Sequence, residues 1–167
     1  MKLGVLLCLS LMVSFVYAKG NENGESKSDA AIKQIFSEYQ AALIAHDASF
    51  SEKWFISDAE YKQLIDLVRQ KQPNCVGTDE ESFNAESNRK VYKEILTSKA
   101  VITKISVIRI DYNNSCGNVL EISRVACLVQ YGAKKVVEVP FLLVKTLDNQ
   151  YKILKNFLNY KLLSNNE

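Results

Sequence analysis

The spacing of apolar residues in the first third of the chain predicts helices. Apolar side chains recur every three or four positions over residues 32–43, which is the period of a helix that buries one face. Ser28 or Asp29 can cap the start of this helix, which should end near residues 46–47. A short helical turn is expected to follow at residues 50–55.

Two more helices are predicted before the pattern changes. The run "SDAE", from Ser57 to Glu60, is a capping box, in which each end residue can hydrogen-bond the backbone of the other. The helix it opens carries apolar residues on one face and should end before Pro73. A loop over residues 74–82 then leads to a helix over residues 83–96.

From Ala100 onward, β-branched and aromatic residues dominate, and they predict strands. The segments between the strands, "NNSCGN", "YGAK" and "LDNQ", are short and rich in turn-forming residues, so neighbouring strands should be antiparallel. Four strands are expected, at residues 100–112, 118–131, 134–146 and 150–160.

The alternation of apolar and polar residues breaks inside these strands. Ile105, Val107 and Ile108 change parity, and Pro140 interrupts the third strand, so bulges that curve the sheet are expected. The predicted fold is α+β, with N-terminal helices packed on a strongly curved antiparallel sheet of about four long strands. We expect one domain over residues 29–163, a cone whose concave face is filled by the first helix, after a flexible segment at residues 19–28.

The N-terminal segment is typical of a secretory signal peptide at residues 1–18. Lys2 is followed by an apolar run over residues 3–16 and by a small residue, Ala18, where cleavage is expected. The alternative is a retained membrane anchor, but the apolar run is shorter than the ~20 residues that span a bilayer. A lipoprotein is disfavoured because Cys8 lies inside the run. We therefore expect a secreted or periplasmic protein with no membrane span after cleavage.

Three cysteines follow the predicted signal peptide. Cys75 and Cys116 lie in turn-rich segments, and an oxidising compartment would favour a disulfide between them. Three free thiols remain an alternative, since sequence does not show proximity. Cys127 lies in an apolar, strand-like run and is expected to be free and buried. No metal site is expected, because the chain has no CxxC pair and one histidine.

The net charge and the motifs of the chain reduce the classes of partner and function that are expected. The chain has 21 basic and 19 acidic side chains and a net charge of +2, which gives no general attraction to nucleic acid. No nucleophile elbow, zinc-protease motif or phosphate-binding loop occurs, so neither a cofactor nor a catalytic residue is assigned. Asn113 begins an Asn-Asn-Ser glycosylation sequon, which matters only in a eukaryotic source.

Two segments carry a resemblance to a known superfamily. The stretch "FSEYQAALIAHDASFSEKWF", residues 36–55, resembles the first helix and turn of nuclear-transport-factor-2-like proteins, and "LVKTLDNQYKILKNF", residues 143–157, resembles their last hairpin. The superfamily includes ketosteroid isomerases and polyketide cyclases. The resemblance implies a cone-shaped fold, and Tyr39 matches by position the isomerase tyrosine that helps to form an oxyanion hole. The segment matching the isomerase's catalytic aspartate reads instead as a helix, with Asp58 in its first turn.

Five residues near the predicted cone are candidates for a functional role. Tyr39, Trp54 and Leu43 are candidates to line a cavity, although Tyr39 and Trp54 are equally explained by core packing. His46 is either a general base at the mouth of the cone or a polar residue at a helix end. Asp47 reads as a cap for the next turn. We expect His46 to be dispensable and Trp54 to matter for stability.

These observations favour an exported small binding or protein-interaction domain without an evident catalytic constellation, holding an apolar ligand in the cone or contacting a protein partner. The alternative is a small lyase- or isomerase-like enzyme that acts on an apolar ligand, with Tyr39 as hydrogen-bond donor. A homodimer through the outer sheet face is a further expectation.

Overall fold

The computed structural model describes residues 26–75, 84–98, 101–132 and 135–158. The signal peptide, most of the flexible segment at 19–28 and the end of the expected domain at 163 lie outside these ranges. The helices are α1 (Lys27–Ala45), α2 (Phe50–Trp54), α3 (Asp58–Lys71) and α4 (Ala85–Thr97). The strands are β1 (Ile102–Ser115), β2 (Leu120–Tyr131), β3 (Lys135–Lys145) and β4 (Tyr151–Asn156).

Side-chain caps define where the helices begin. The side chain of Ser26 accepts a hydrogen bond from the Asp29 N–H at 3.0 Å, so the cap of α1 lies two residues before the expected Ser28. The capping box is confirmed, because the Ser57 hydroxyl accepts from the Glu60 N–H and the Glu60 carboxylate accepts from the Ser57 N–H. α3 ends at Lys71, shortly before Pro73 as predicted.

The strands form one antiparallel sheet in the order β1-β2-β3-β4, which confirms the α+β fold and the meander. The sheet is open, with β1 and β4 at its edges. The register shift in β1 between Val107 and Arg109 is a bulge of the kind that the broken alternation predicted, and a second shift lies between Ile102 and Lys104. β4 ends at Asn156, earlier than expected.

Pro140 does not interrupt β3, contrary to the expectation. Pro140 lies opposite Ala126 in an unbroken register with β2. In an antiparallel sheet, the N–H and C=O of one residue point to the same neighbouring strand, and this neighbour alternates along the chain. The backbone of Pro140, which lacks an N–H, points toward β4. Pairing with β4 begins only at Phe141, so no ladder hydrogen bond is lost among the described residues.

The inner face of the sheet, the face covered by α1, α2 and α4, carries the larger core. The apolar stripe of α1 packs there as predicted, with Ile32, Ile35, Phe36, Tyr39, Ala42 and Leu43 all buried. The rings of Phe36 and Phe141 meet edge-to-face, with centroids 4.9 Å apart. This core anchors α1 to the middle of the sheet.

The outer face is covered in part by α3, which sequence reasoning had not placed. Leu64 and Val68 of α3 pack with Leu120, Val144 and Leu154 of the sheet. Cys75 and Cys116 are paired as predicted, with Cα atoms 5.4 Å apart, and the pair joins the chain after α3 to the β1–β2 turn. Cys127 is free and buried, also as predicted.

The β1–β2 turn lies close to the end of α3. Gly117 has a φ of +65°, and a Cβ there would lie 2.7 Å from the Gln72 side-chain nitrogen. Cys116 and Asn118 on either side also have positive φ. The turn is thus shaped to bring Cys116 against the end of α3.

Candidate ligand-binding groove

The inside of the predicted cone is filled by aromatic side chains. Tyr39 is 0% exposed, and its ring contacts those of Phe50, Tyr92 and Phe141 at centroid distances of 5.1–5.8 Å. Its hydroxyl accepts a hydrogen bond from the Asn156 side-chain N–H at 3.1 Å. Burial raises the pKa of the Tyr39 phenol well above its usual range. A ligand could reach this hydroxyl only if core rings moved.

His46 and Asp47 lie at the end of α1 in structural positions. His46 adopts the left-handed conformation with a φ of 54°, and its Nδ1 donates to the Leu96 carbonyl at 2.8 Å. The Asp47 carboxylate accepts from the N–H of Ser49 at 2.8 Å and from its hydroxyl at 2.7 Å. The Ser49 hydroxyl lowers the pKa of Asp47. The carboxylate holds the turn that leads into α2.

Leu43 and His46 border a small depression between α1 and the start of β1. Its volume is about 110 Å³, and Ile95 and Ile102 form much of its apolar wall. Small-molecule sites usually occupy about 300–1,000 Å³. This depression is therefore too small for most ligands.

Trp54 is half-buried rather than buried, and its position is defined by Glu38. Its indole Nε1 donates to the Glu38 carboxylate at 2.7 Å, and the Lys53 ammonium donates to the same carboxylate at 3.0 Å. The Lys53 ammonium also lies 4.5 Å from the centre of the indole ring. Gln34 donates to the other carboxylate oxygen at 3.1 Å. Lys53 is the main cause of the lowered pKa of Glu38.

One groove of about 410 Å³ combines aromatic, polar and cationic walls, and Trp54 lies in it. One wall is a face of α1, where the spacing of the lining residues matches the helical repeat. The other wall is the β3–β4 hairpin. The lining residues are Lys27, Ser28, Ala31, Gln34 and Ile35 from α1, Trp54 from α2, and Lys145, Asn149, Gln150 and Tyr151 from the hairpin.

The hairpin wall is held by its own hydrogen bonds. The Thr146 N–H donates to the Gln150 carbonyl at 2.8 Å, and the Asn149 N–H donates to the Thr146 carbonyl at 2.9 Å. Tyr151 is 5% exposed and donates its hydroxyl to Glu121, which also receives the Lys145 ammonium at 3.4 Å. Burial, more than the bond to Glu121, raises the pKa of the Tyr151 phenol. Both aromatic residues of the groove are thus fixed by a carboxylate behind them.

The charge of the groove is positive. Lys27 and Lys145 are the charged residues that line it, and Lys145 is ion-paired with Glu121 behind it, so Lys27 accounts for the positive charge. Glu38 and Glu121 lie behind the lining residues. Each of these carboxylates accepts more than one hydrogen bond or ion pair from neighbouring side chains. An anionic group entering the groove would therefore meet cations and amide or hydroxyl donors.

A larger depression on α4, of about 670 Å³, has a different character. Its walls are polar or charged throughout and mix Glu52, Glu86 and Glu94 with Arg89, Lys90 and Lys93. Arg89 and Glu52 form an ion pair at 3.4 Å. Mixed charges on one side of an exposed helix are typical of a solvated surface. The groove beside α1 is the better candidate for a ligand.

Neither a metal-binding cluster, a membrane-spanning helix nor a similar known protein is found for the described part of the chain. In the described ranges, no three His, Cys, Asp or Glu side chains are grouped as metal ligands. None of the helices there is long and apolar enough to cross a bilayer. Comparison with protein-family models, curated proteins and solved structures finds no match to this chain. The resemblance to nuclear-transport-factor-2-like proteins therefore stays a prediction.

Sequence reasoning identified Trp54 but missed the rest of the groove. Lys27, Ser28 and Ala31 belong to the solvent-facing side of α1, and the hairpin residues lie more than 100 positions later in the chain. The one signal available was the small residue Ala31 between polar neighbours on that side. Only the packing of α1 against the hairpin brings the two walls together.

Proposed function

We propose that this protein is an exported binding domain, and that its groove takes a small molecule with an apolar or aromatic body and one acidic group. The observation that carries the proposal is the joint placement of Trp54 and Tyr151 with Lys27 and Lys145 in one groove. Pockets with apolar walls and a few fixed polar groups are the usual form of small-molecule sites. The aromatic rings would contact the body of the ligand, and the cations would attract its acidic group.

The groove replaces the interior of the cone as the expected ligand site. The interior is occupied by Phe36, Tyr39, Phe50, Tyr92 and Phe141, which touch one another. The alternative enzymatic function would need a substrate at the Tyr39 hydroxyl, which is buried and bonded to Asn156. Nothing observed favours that alternative over binding.

Trp54 provides a direct assay, because it is the chain's one tryptophan and lies in the groove. We expect octanoate, which has an apolar chain and a carboxylate, to change the Trp54 fluorescence in a saturable way. Octylamine, with the same chain and the opposite charge, should bind several-fold more weakly because it meets Lys27 and Lys145. Equal binding of the two probes would contradict the assignment of an acidic group.

A matched pair of variants tests the location. Ala31→Phe places a ring in the groove, whereas Ala30→Phe places the same ring on the neighbouring exposed position outside it. We expect Ala31→Phe to abolish the octanoate response and Ala30→Phe to keep it. Binding that survives Ala31→Phe in a folded protein would show that the groove is not the site.

Export is part of the same proposal. The paired cysteines Cys75 and Cys116 are compatible with an oxidising compartment. N-terminal sequencing of protein recovered from the medium or the periplasm should find a chain that begins at or near Lys19. A chain that retains Met1 in the membrane fraction would contradict the proposed cleavage.

A further inference from the structure

β1 forms an edge of the sheet over its whole length. Within the described residues its one strand neighbour is β2. At the Ile105 end, the edge is sheltered by α1, because the side chain of Gln40 accepts the Ile105 N–H at 2.7 Å. Toward Ser115 the side chains of residues 111–114 are exposed. An edge strand with accessible backbone groups is a template for another strand.

The register identifies which backbone groups face outward. Ile105 is paired with Val129 but gives its N–H to Gln40, so its backbone groups point away from β2. Bonded and non-bonded pairs alternate along an antiparallel ladder. The bulge puts two residues, Ile108 and Arg109, opposite one residue of β2. The alternation continues after the bulge, so Arg109 points its backbone groups toward β2 and Ile110 points its N–H and C=O toward the free edge.

The charges beside Ile110 are arranged to meet their own copy. Arg109 and Asp111 lie on either side of it, with side chains 57% and 53% exposed, and they form an ion pair at 2.9 Å. In an antiparallel pair of two identical strands centred on Ile110, Arg109 of each copy faces Asp111 of the other. The two-fold symmetry therefore gives two Arg109–Asp111 pairs between the copies. Cross-strand pairs of opposite charge stabilise a sheet, and like charges destabilise it.

We propose that a second copy of this chain pairs with the edge of β1, antiparallel and with its two-fold axis at Ile110. The register shifted so that Ile110 faces Tyr112 would place Asp111 opposite Asp111, so the charges select one register. The sheet then continues from one copy into the other through backbone hydrogen bonds. A contact of this kind is small, at the low end of specific interfaces, so the dimer is a weak one that forms at high protein concentration.

Charge reversal tests the pairing. Arg109→Asp and Asp111→Arg each turn both cross-strand pairs into like-charge pairs, and each should weaken the dimer about tenfold in sedimentation equilibrium. An equimolar mixture of the two variants should recover association, because each altered position then faces an opposite charge in the other variant. An effect inside one chain would not be rescued by mixing.

Two controls separate this edge from other surfaces. Lys155→Asp, the same change of charge as Arg109→Asp at an exposed position of β4, should leave the dimer unchanged. Val136→Asp, on the outer sheet face and 57% exposed, should leave it unchanged as well. Loss of association in Val136→Asp alone would place the interface on the sheet face and overturn the proposal. So would a wild-type protein that stays monomeric at millimolar concentration, or a mixture that associates no better than its components.

Discussion

The inner face of the sheet is covered by three helices and filled with aromatic rings, whereas the outer face is covered in part by α3 and a disulfide. The inner core includes 22 buried residues, and the outer cluster includes six. The inner helices are anchored by large rings such as Phe36, Tyr39 and Phe50, each in contact with another ring. The outer cluster is built from aliphatic side chains such as Leu64, Val68 and Val144.

The difference shows two ways to hold a helix on a sheet. Where burial is extensive, packing alone stabilises the contact, at about 1.5–3 kcal/mol for each fully buried large apolar side chain. Where the buried cluster is small, a covalent link restricts the unfolded chain instead. The pair Cys75–Cys116 lies in the outer cluster, with a sequence separation of 41. We therefore expect the two faces to respond differently to truncation and to reduction.

The largest effect is expected from truncating an inner-face ring. Phe141→Ala removes a side chain that is 0% exposed and contacts both Phe36 and Tyr39. The lost burial and the cavity should lower the free energy of unfolding by about 3–5 kcal/mol in denaturant titrations. Val136→Ala, in the same strand but 57% exposed, should stay within about 0.5 kcal/mol. Similar costs for the two variants would contradict the inner core described above.

Removal of the disulfide is expected to act on the outer face. The double variant Cys75→Ser, Cys116→Ser should lose about 3–4 kcal/mol of unfolding free energy, since the unfolded chain gains the freedom of a loop of this length. Hydrogen exchange should then accelerate more in α3 than in α1, because α3 has the smaller buried cluster. Cys127→Ala is the control, as it leaves the bridge intact. Equal acceleration in both helices would mean that the bridge supports the whole domain.

A smaller effect is expected where α1 meets β1 through Asp29 and Tyr112. The Tyr112 hydroxyl donates to the Asp29 carboxylate, and this bond is the main cause of the lowered pKa of Asp29. The contribution to stability is present above the unfolded pKa of about 3.9 and is lost as the pH falls through the lower folded pKa. Burial and Asp29 raise the pKa of Tyr112, so the contribution is also lost as the pH rises beyond about 10.

Tyr112→Phe tests this contact. The variant should be less stable by about 0.5–1 kcal/mol at neutral pH, as is typical of one exposed hydrogen bond. Its stability should also fall less steeply below pH 4 than that of the wild type, in denaturant titrations at a series of pH values. Parallel pH profiles of the two proteins would show that Asp29 does not depend on this hydroxyl.

The smallest effect is expected from replacing His46 by glycine. His46→Ala removes the hydrogen bond to Leu96 and keeps a side chain at a positive φ, so it should cost about 0.5–1 kcal/mol. His46→Gly also removes the bond, but glycine adopts this conformation without strain, so its net change should be smaller. Chemical denaturation of the pair measures the difference. A larger cost for glycine than for alanine would show that relief of strain at this positive φ is outweighed by the freedom that glycine gives the unfolded chain.

Local patterns in the sequence determined much of the fold. The apolar stripe of α1, the capping box at Ser57 and the turns between strands each depend on residues a few positions apart, and all three were predicted. The broken alternation around Val107 predicted the bulge there for the same reason. The cysteine pairing was inferred from the turn-forming character of the two segments, although their closeness could not be.

The tertiary structure alone decided the rest. The placement of α3 on the outer face depends on contacts between its residues and strands that follow tens of positions later. The groove needs α1 and the β3–β4 hairpin side by side, and Lys27 and Lys145 have no spacing that relates them in the sequence. Tyr39 was a candidate for both core and cavity because its ring can pack in a core and its hydroxyl can bind a ligand. The rings that surround it assign it to the core, and they come from α2, α4 and β3. Periodicity reports which side of an element is buried, whereas only packing reports what buries it.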